Sequence, residues 1–87
     1  FGRVNVGTTP TLIVPENLTR ISAVVQNVDE QQLVIGFGSN VAMNTGVYLA
    51  PISGSSGDGG VFSVSAYLGP IYGIVASGDA MCAWMEI

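Results

Sequence analysis

The fold class follows first from residues 19–37, which read TRISAVVQNVDEQQLVIGF. Within them, residues 19–28 alternate between two faces and are rich in β-branched side chains, which is typical of a strand with one buried face. The side chains expected to share the inward face are Ile21, Ala23, Val25 and Asn27. This is the strongest strand pattern in the chain.

The second half of the same stretch supplies a turn and another strand. Asp29, Glu30 and Gln31 are polar residues that favour a turn. Residues 32–37 then alternate again, and we expect an inner face made of Leu33, Ile35 and Phe37. The two strands are therefore predicted to pair as an antiparallel hairpin.

The remaining chain predicts further short strands separated by turn residues. They cover residues 3–6, 11–14, 47–49, 61–66, 71–76 and 80–87. Pro10 and Pro15 flank the second of these and place it at a sheet edge, because proline cannot donate to a central ladder. The last two segments are predicted to form a second hairpin. Residues 53–60, SGSSGDGG, read as an exposed, flexible loop.

This pattern predicts an all-β fold with seven or eight short strands and local, up-and-down connections. A single small antiparallel β-sandwich or jelly-roll-like barrel is the simplest solution for residues 1–87. Gly36 and Gly38 are expected to mark bulges or points of close packing. Residues 1–6 are interpreted as an N-terminal arm that reaches a neighbouring subunit.

The composition argues against an enzyme. The 87 residues contain no His, two Lys or Arg in total, and one Cys. General acid/base catalysis, thiol catalysis and transition-metal sites draw on clusters of those residues. We therefore predict no catalytic residue, no metal site and no cofactor. Asp58 is the one acid among the glycines of residues 53–60, and a single carboxylate provides too few ligands for calcium.

Charge and hydropathy instead favour association with other proteins. The net charge is −4 and 48% of the residues are apolar, which is more than a core of this size needs. Both arginines lie in the first 20 residues, so no basic stripe exists for nucleic acid. No apolar run is long enough for a membrane-spanning helix. A homo-oligomer is the expected state.

Three side chains stand out as candidates for packing or contact. Cys82 is expected to be buried and inert, since no His is present to lower its pKa. Trp84 fits either the core or an interface. Arg20 is expected to pair with an acid or a carbonyl group rather than to face solvent alone.

Several residues occur in an order that carries a family resemblance. They are Arg20, Gln26, Asn27, residues 33–36, Gly46, Leu49, Pro51, residues 70–74 (PIYGI) and Glu86. In this order the chain resembles small β-sandwich proteins encoded among the virion genes of tailed bacteriophages. Those proteins recur as capsid decoration (cement) proteins and as domains of head or tail fibres.

The resemblance implies a non-enzymatic virion protein on the capsid surface, with the major capsid protein as its partner. It also implies a homo-oligomer, often a trimer. The residues expected to make contacts are Phe1, Arg3, Val4, Arg20 and Trp84. Two alternatives stay open: a head-fibre or tail-spike domain that binds host glycan through Tyr and Trp side chains, and a carbohydrate-binding or adhesin module of a secreted protein.

Overall fold

The computed structural model of the chain describes residues 1–52 and 59–87. Its strands are β1 (Gly2–Val6), β2 (Thr11–Val14), β3 (Ser22–Asn27), β4 (Leu33–Gly36), β5 (Val47–Leu49), β6 (Val61–Ser65), β7 (Ile71–Ile74) and β8 (Ala80–Glu86). Each predicted strand segment is confirmed to within a few residues at its ends. Most of the predicted polar loop, including Asp58, lies outside the described residues.

The strands form two antiparallel sheets of four. Sheet A has the order β1-β8-β3-β6, and sheet B has the order β2-β7-β4-β5. Pairing is nested along the chain, because β1 pairs with β8, β2 with β7, β3 with β6 and β4 with β5. A long antiparallel ribbon rolled up in this way is an eight-stranded jelly roll. The predicted all-β sandwich class is confirmed.

The predicted up-and-down connections and both predicted hairpins are wrong. β3 belongs to sheet A and β4 to sheet B, so the turn between them crosses the sandwich. The same is true of β7 and β8. Alternation shows which face of a strand is buried, but strands that face each other across a core alternate just as paired strands do. Consecutive strands do pair at β4 and β5.

The main core lies between the sheets. The inward faces of β3 and β4 supply Ala23, Val25, Leu33 and Ile35, all at most 1% exposed. Two residues predicted to face inward do not, because each lies just outside its strand. Ile21 is 70% exposed and Phe37 is 48% exposed.

Sheet B has its outer face covered in part by the segment that joins β4 to β5. Val41, from this segment, packs with Val34 and Ile74 in a second apolar cluster. A Cβ atom at Gly36 would lie 2.8 Å from a methyl carbon of Val41. The prediction that Gly36 marks a point of close packing is therefore confirmed. Pro10 and Pro15 flank β2, which lies at the edge of sheet B as expected.

Residues 1–6 are not a free arm. Gly2–Val6 is β1, and it pairs along its whole length with β8, from Gly2 opposite Trp84 to Val6 opposite Ala80. Val6 is completely buried in the main core. Val4 and Val6 alternate with the polar Arg3 and Asn5, and burying the two valines in the sandwich is more favourable than leaving them in solvent.

Candidate interaction face

Arg20 is a buried structural residue. Its guanidinium donates to the carbonyl oxygens of Tyr67 at 3.0 Å and Pro15 at 3.1 Å, and also to that of Gly69. It forms an ion pair with Glu86 at 3.1 Å. The prediction that Arg20 pairs with an acid or a carbonyl is confirmed. Because the residue is 4% exposed, its assignment as a contact residue is wrong.

An aromatic cluster lies beside Arg20. The ring of Phe37 is 4.3 Å from that of Tyr67 and 6.0 Å from that of Phe62, measured between centroids. The Tyr67 hydroxyl donates to the carbonyl oxygen of Phe37 or of Pro70, at 3.0 and 2.7 Å. Burial raises the pKa of this hydroxyl, against the opposing effect of the Arg20 charge. The cluster joins the residue after β4 to β6 and to the segment that follows β6.

Asn27 and Asp29 hold the turn that crosses between the sheets. The buried amide of Asn27 donates to the carbonyl oxygens of Gln31 at 2.7 Å and Leu49 at 3.2 Å. Its oxygen accepts from the Asp29 N–H at 3.0 Å. The sequence places Asn27 on the inward face but does not reveal this role. An Asx residue at an inward position just before a turn is the signal that identifies it.

The Asp29 carboxylate ties the same turn to β8. It accepts from the N–H of Met81 at 3.0 Å and from that of Glu30 at 2.7 Å. The hydrogen bond from Met81, and to a smaller extent that from Glu30, lowers the pKa of the Asp29 carboxyl below its ordinary value. The carboxylate therefore acts as a structural acceptor.

Cys82 is fully buried in the main core, as predicted. Desolvation raises the pKa of its thiol to about 12, although a hydrogen bond with the Val4 backbone acts in the opposite direction. A thiol with such a pKa stays protonated at neutral pH and is a poor nucleophile.

Trp84 faces the interior rather than the outside of sheet A. It lies opposite Gly2 on one side and Val25 on the other, and its half-buried ring packs against the main core. A Cβ atom at Gly2 would lie 3.3 Å from the indole nitrogen of Trp84. Trp84 is therefore primarily a packing residue at the border of the core.

The outer surface of sheet A is a candidate for contact with another molecule. We call this surface face A. It consists of the outward side chains of its four strands, namely Arg3, Asn5, Ser22, Val24, Gln26, Val61, Ser63, Ser65, Met81, Ala83 and Met85. An open groove of about 430 Å³ lies along β1, β8 and β3, and its lining consists of Phe1, Gly2, Arg3, Val24, Gln26, Ala83, Trp84 and Met85. Phe1 is 96% exposed and Met85 is 53% exposed.

Face A is apolar at its centre and nearly free of charge. Arg3 is the one charged side chain among its members, and the others are apolar, hydroxyl or amide groups. Asp79 lies beside it, where its carboxylate accepts from the side-chain N–H of Asn5 at 3.0 Å. Of the predicted contact residues, Phe1, Arg3 and Trp84 line the groove, whereas Val4 points to the opposite side of sheet A.

The aromatic side chains do not form one stacking platform. Tyr48 and Tyr72 project from the outer side of sheet B, and Tyr72 packs against its covering segment. Tyr67 belongs to the aromatic cluster with Phe37 and Phe62, and Trp84 faces the core. A sugar-binding surface that uses all four aromatic residues is therefore not assembled.

Within residues 1–52 and 59–87, acidic and cysteine side chains are nowhere grouped in threes at a distance suited to a metal ion. The same ranges hold no helix of the length and hydropathy needed to cross a membrane.

Comparisons of the chain with protein-family models, curated proteins and solved structures find no match.

Proposed function

We propose that this chain is a non-enzymatic structural protein of a tailed-bacteriophage particle, namely a capsid decoration protein that binds the major capsid protein and stabilises the shell. The observation that carries the proposal is face A, a sheet surface with one charged side chain, whose other outward side chains are half apolar and half hydroxyl or amide, on a chain of net charge −4. Surfaces of this kind mark sites of association between proteins.

Two further features support the proposal. The jelly roll is an architecture that viral capsid proteins use repeatedly, although lectins and other proteins share it. The chain also has no His and no Lys, and its one cysteine is buried, so binding accounts for its composition better than catalysis does. Many weak contacts on a repeating lattice add up, so each copy needs to contribute only a little free energy.

Copy number in purified particles tests the location. Quantitative mass spectrometry against the major capsid protein should find hundreds of copies in a fixed ratio. A few dozen copies would favour the head-fibre or tail-spike alternative. If the chain is missing from the particles, the virion proposal is wrong and the secreted module becomes the better explanation.

A matched pair of variants tests the surface. Met85 on face A and Tyr48 on the outer side of sheet B are 53% and 55% exposed. In binding to particles that lack the chain, Met85→Glu should have an affinity about tenfold lower than the parent protein, because it places a charge in an apolar contact. Tyr48→Glu should bind as the parent protein does. Equal binding by both variants would exclude face A as the docking surface.

A further inference from the structure

We propose that copies of this chain associate head to tail through the two edges of sheet A, with β6 of one copy pairing antiparallel to β1 of the next. The inference concerns the chain alone and does not depend on the proposed function. A second copy is the partner to which the edge geometry points.

The first argument is the difference between the edges of the two sheets. In sheet B, the edge strand β2 has a bulge between Leu12 and Val14 and proline on both sides, and the other edge strand, β5, is three residues long. Such features prevent edge-to-edge pairing. In sheet A, β1 and β6 are five residues each and contain no proline, and Arg3 is the one charged residue between them.

The second argument is incomplete burial at those two strands. Three half-buried apolar side chains pack against the main core from the edges of sheet A, namely Val4 on β1 and Phe62 and Val64 on β6. A strand added to either edge would extend the sheet over them. A head-to-tail contact covers both edges at once, whereas a two-fold contact between identical edges covers one of them.

The third argument is strand direction. β1 is antiparallel to β8, β8 to β3 and β3 to β6, so β1 and β6 run in opposite directions. A second copy placed beside the first in the same orientation therefore presents its β1 antiparallel to β6. The inward faces of the two sheets then lie on the same side.

The alternation of side chains restricts the register. Val4, Phe62 and Val64 face inward and Arg3, Ser63 and Ser65 face outward, and paired residues must face the same way. The two registers with the greatest overlap place Arg3 opposite Ser63 or Ser65, and Val4 opposite Phe62 or Val64. Neither strand contains an acid, so no carboxylates meet at this contact between two chains of net charge −4.

Site-specific cross-linking tests this arrangement directly. Single variants Arg3→Cys, Ser63→Cys and Ser65→Cys are treated with a short bismaleimide, separately and in mixtures. The native Cys82 is fully buried and does not compete. We expect cross-linked dimers when Arg3→Cys is mixed with one of the serine variants, and none from any variant alone. Dimers from Arg3→Cys alone, or from a serine variant alone, would show pairing of identical edges and overturn the proposal.

Charge variants provide a test that keeps the strands intact. Ser63→Lys with Ser65→Lys sets positive charge opposite Arg3 and should raise the dissociation constant for self-association about tenfold in sedimentation velocity. Adding Arg3→Glu should restore association. Exposed serines outside sheet A provide the control, Ser39→Lys with Ser77→Lys, which makes the same change in net charge. A parent chain that stays monomeric at millimolar concentration would also overturn the proposal.

Discussion

Among single residues, Arg20 joins distant segments of the chain, because its guanidinium donates to three carbonyl groups and pairs with one carboxylate where β8 ends. Arg20→Met keeps the apolar stem but leaves these acceptors without their donor. We expect the free energy of unfolding in urea to fall by about 3 kcal/mol. Arg3→Met, at an exposed position, should change it by less than about 0.5 kcal/mol. Equal effects of the two variants would contradict the assigned role of Arg20.

Cys82 gives a second prediction at this scale. The Cys82 thiol is buried and its pKa is raised to about 12. A disulfide reagent should therefore not label the native protein at about pH 8, although an ordinary thiol with a pKa of about 8.5 reacts there. Labelling should be complete in denaturant. Ser39→Cys, with an exposed thiol, is the control and should react at once. Rapid labelling of Cys82 in the native protein would show that this part of the core opens.

For the N-terminal segment the sequence predicts both a strand over residues 3–6 and an arm over residues 1–6, and the structure shows the strand. Removing residues 1–6 takes β1 away from β8 and uncovers the core side of Ala80 and Cys82. We expect this truncated chain to lose its cooperative thermal transition, because Val6 and its strand pairing are lost with it. Removing Phe1 alone is the control and should leave the transition in place. If both truncated chains melt like the parent, residues 1–6 act as an arm after all.

Strand positions could be predicted from the sequence, whereas strand partners could not. Val47–Leu49 is a predicted strand with the correct bounds, because turn residues and alternation are local signals. Whether β3 pairs with β4 or with β6 and β8 depends on contacts between distant parts of the chain. For Arg20, too, one part could be predicted and the other could not. The scarcity of charge predicts that it has partners, but the partners Tyr67, Gly69 and Glu86 come from distant segments.

At the scale of the whole molecule, the candidate site emerges only from the assembled sheets. The sequence indicates a surplus of apolar residues, but it cannot assign them to a core or to a surface until the strand faces are known. The sequence predicts Phe1 and Arg3 as contacts on an arm, whereas in the structure both line the groove on face A because β1 is an edge strand of sheet A. The contacts that join distant segments also determine how the folded molecule responds to pH.

Asp29 is the residue expected to make the free energy of unfolding depend on pH, because its carboxylate links the turn between the sheets to β8. Its pKa is lowered in the folded state, so it contributes stability above the unfolded value of about 3.9. That contribution is lost as the pH falls through the lower, folded pKa, since the unfolded chain binds the proton first. The free energy of unfolding should therefore decline below about pH 4, and Asp29→Asn should show a weaker decline. Glu30→Gln removes the adjacent charge and should keep the decline of the parent. Parallel profiles for the parent and Asp29→Asn would show that the Met81 bond does not stabilise the folded state.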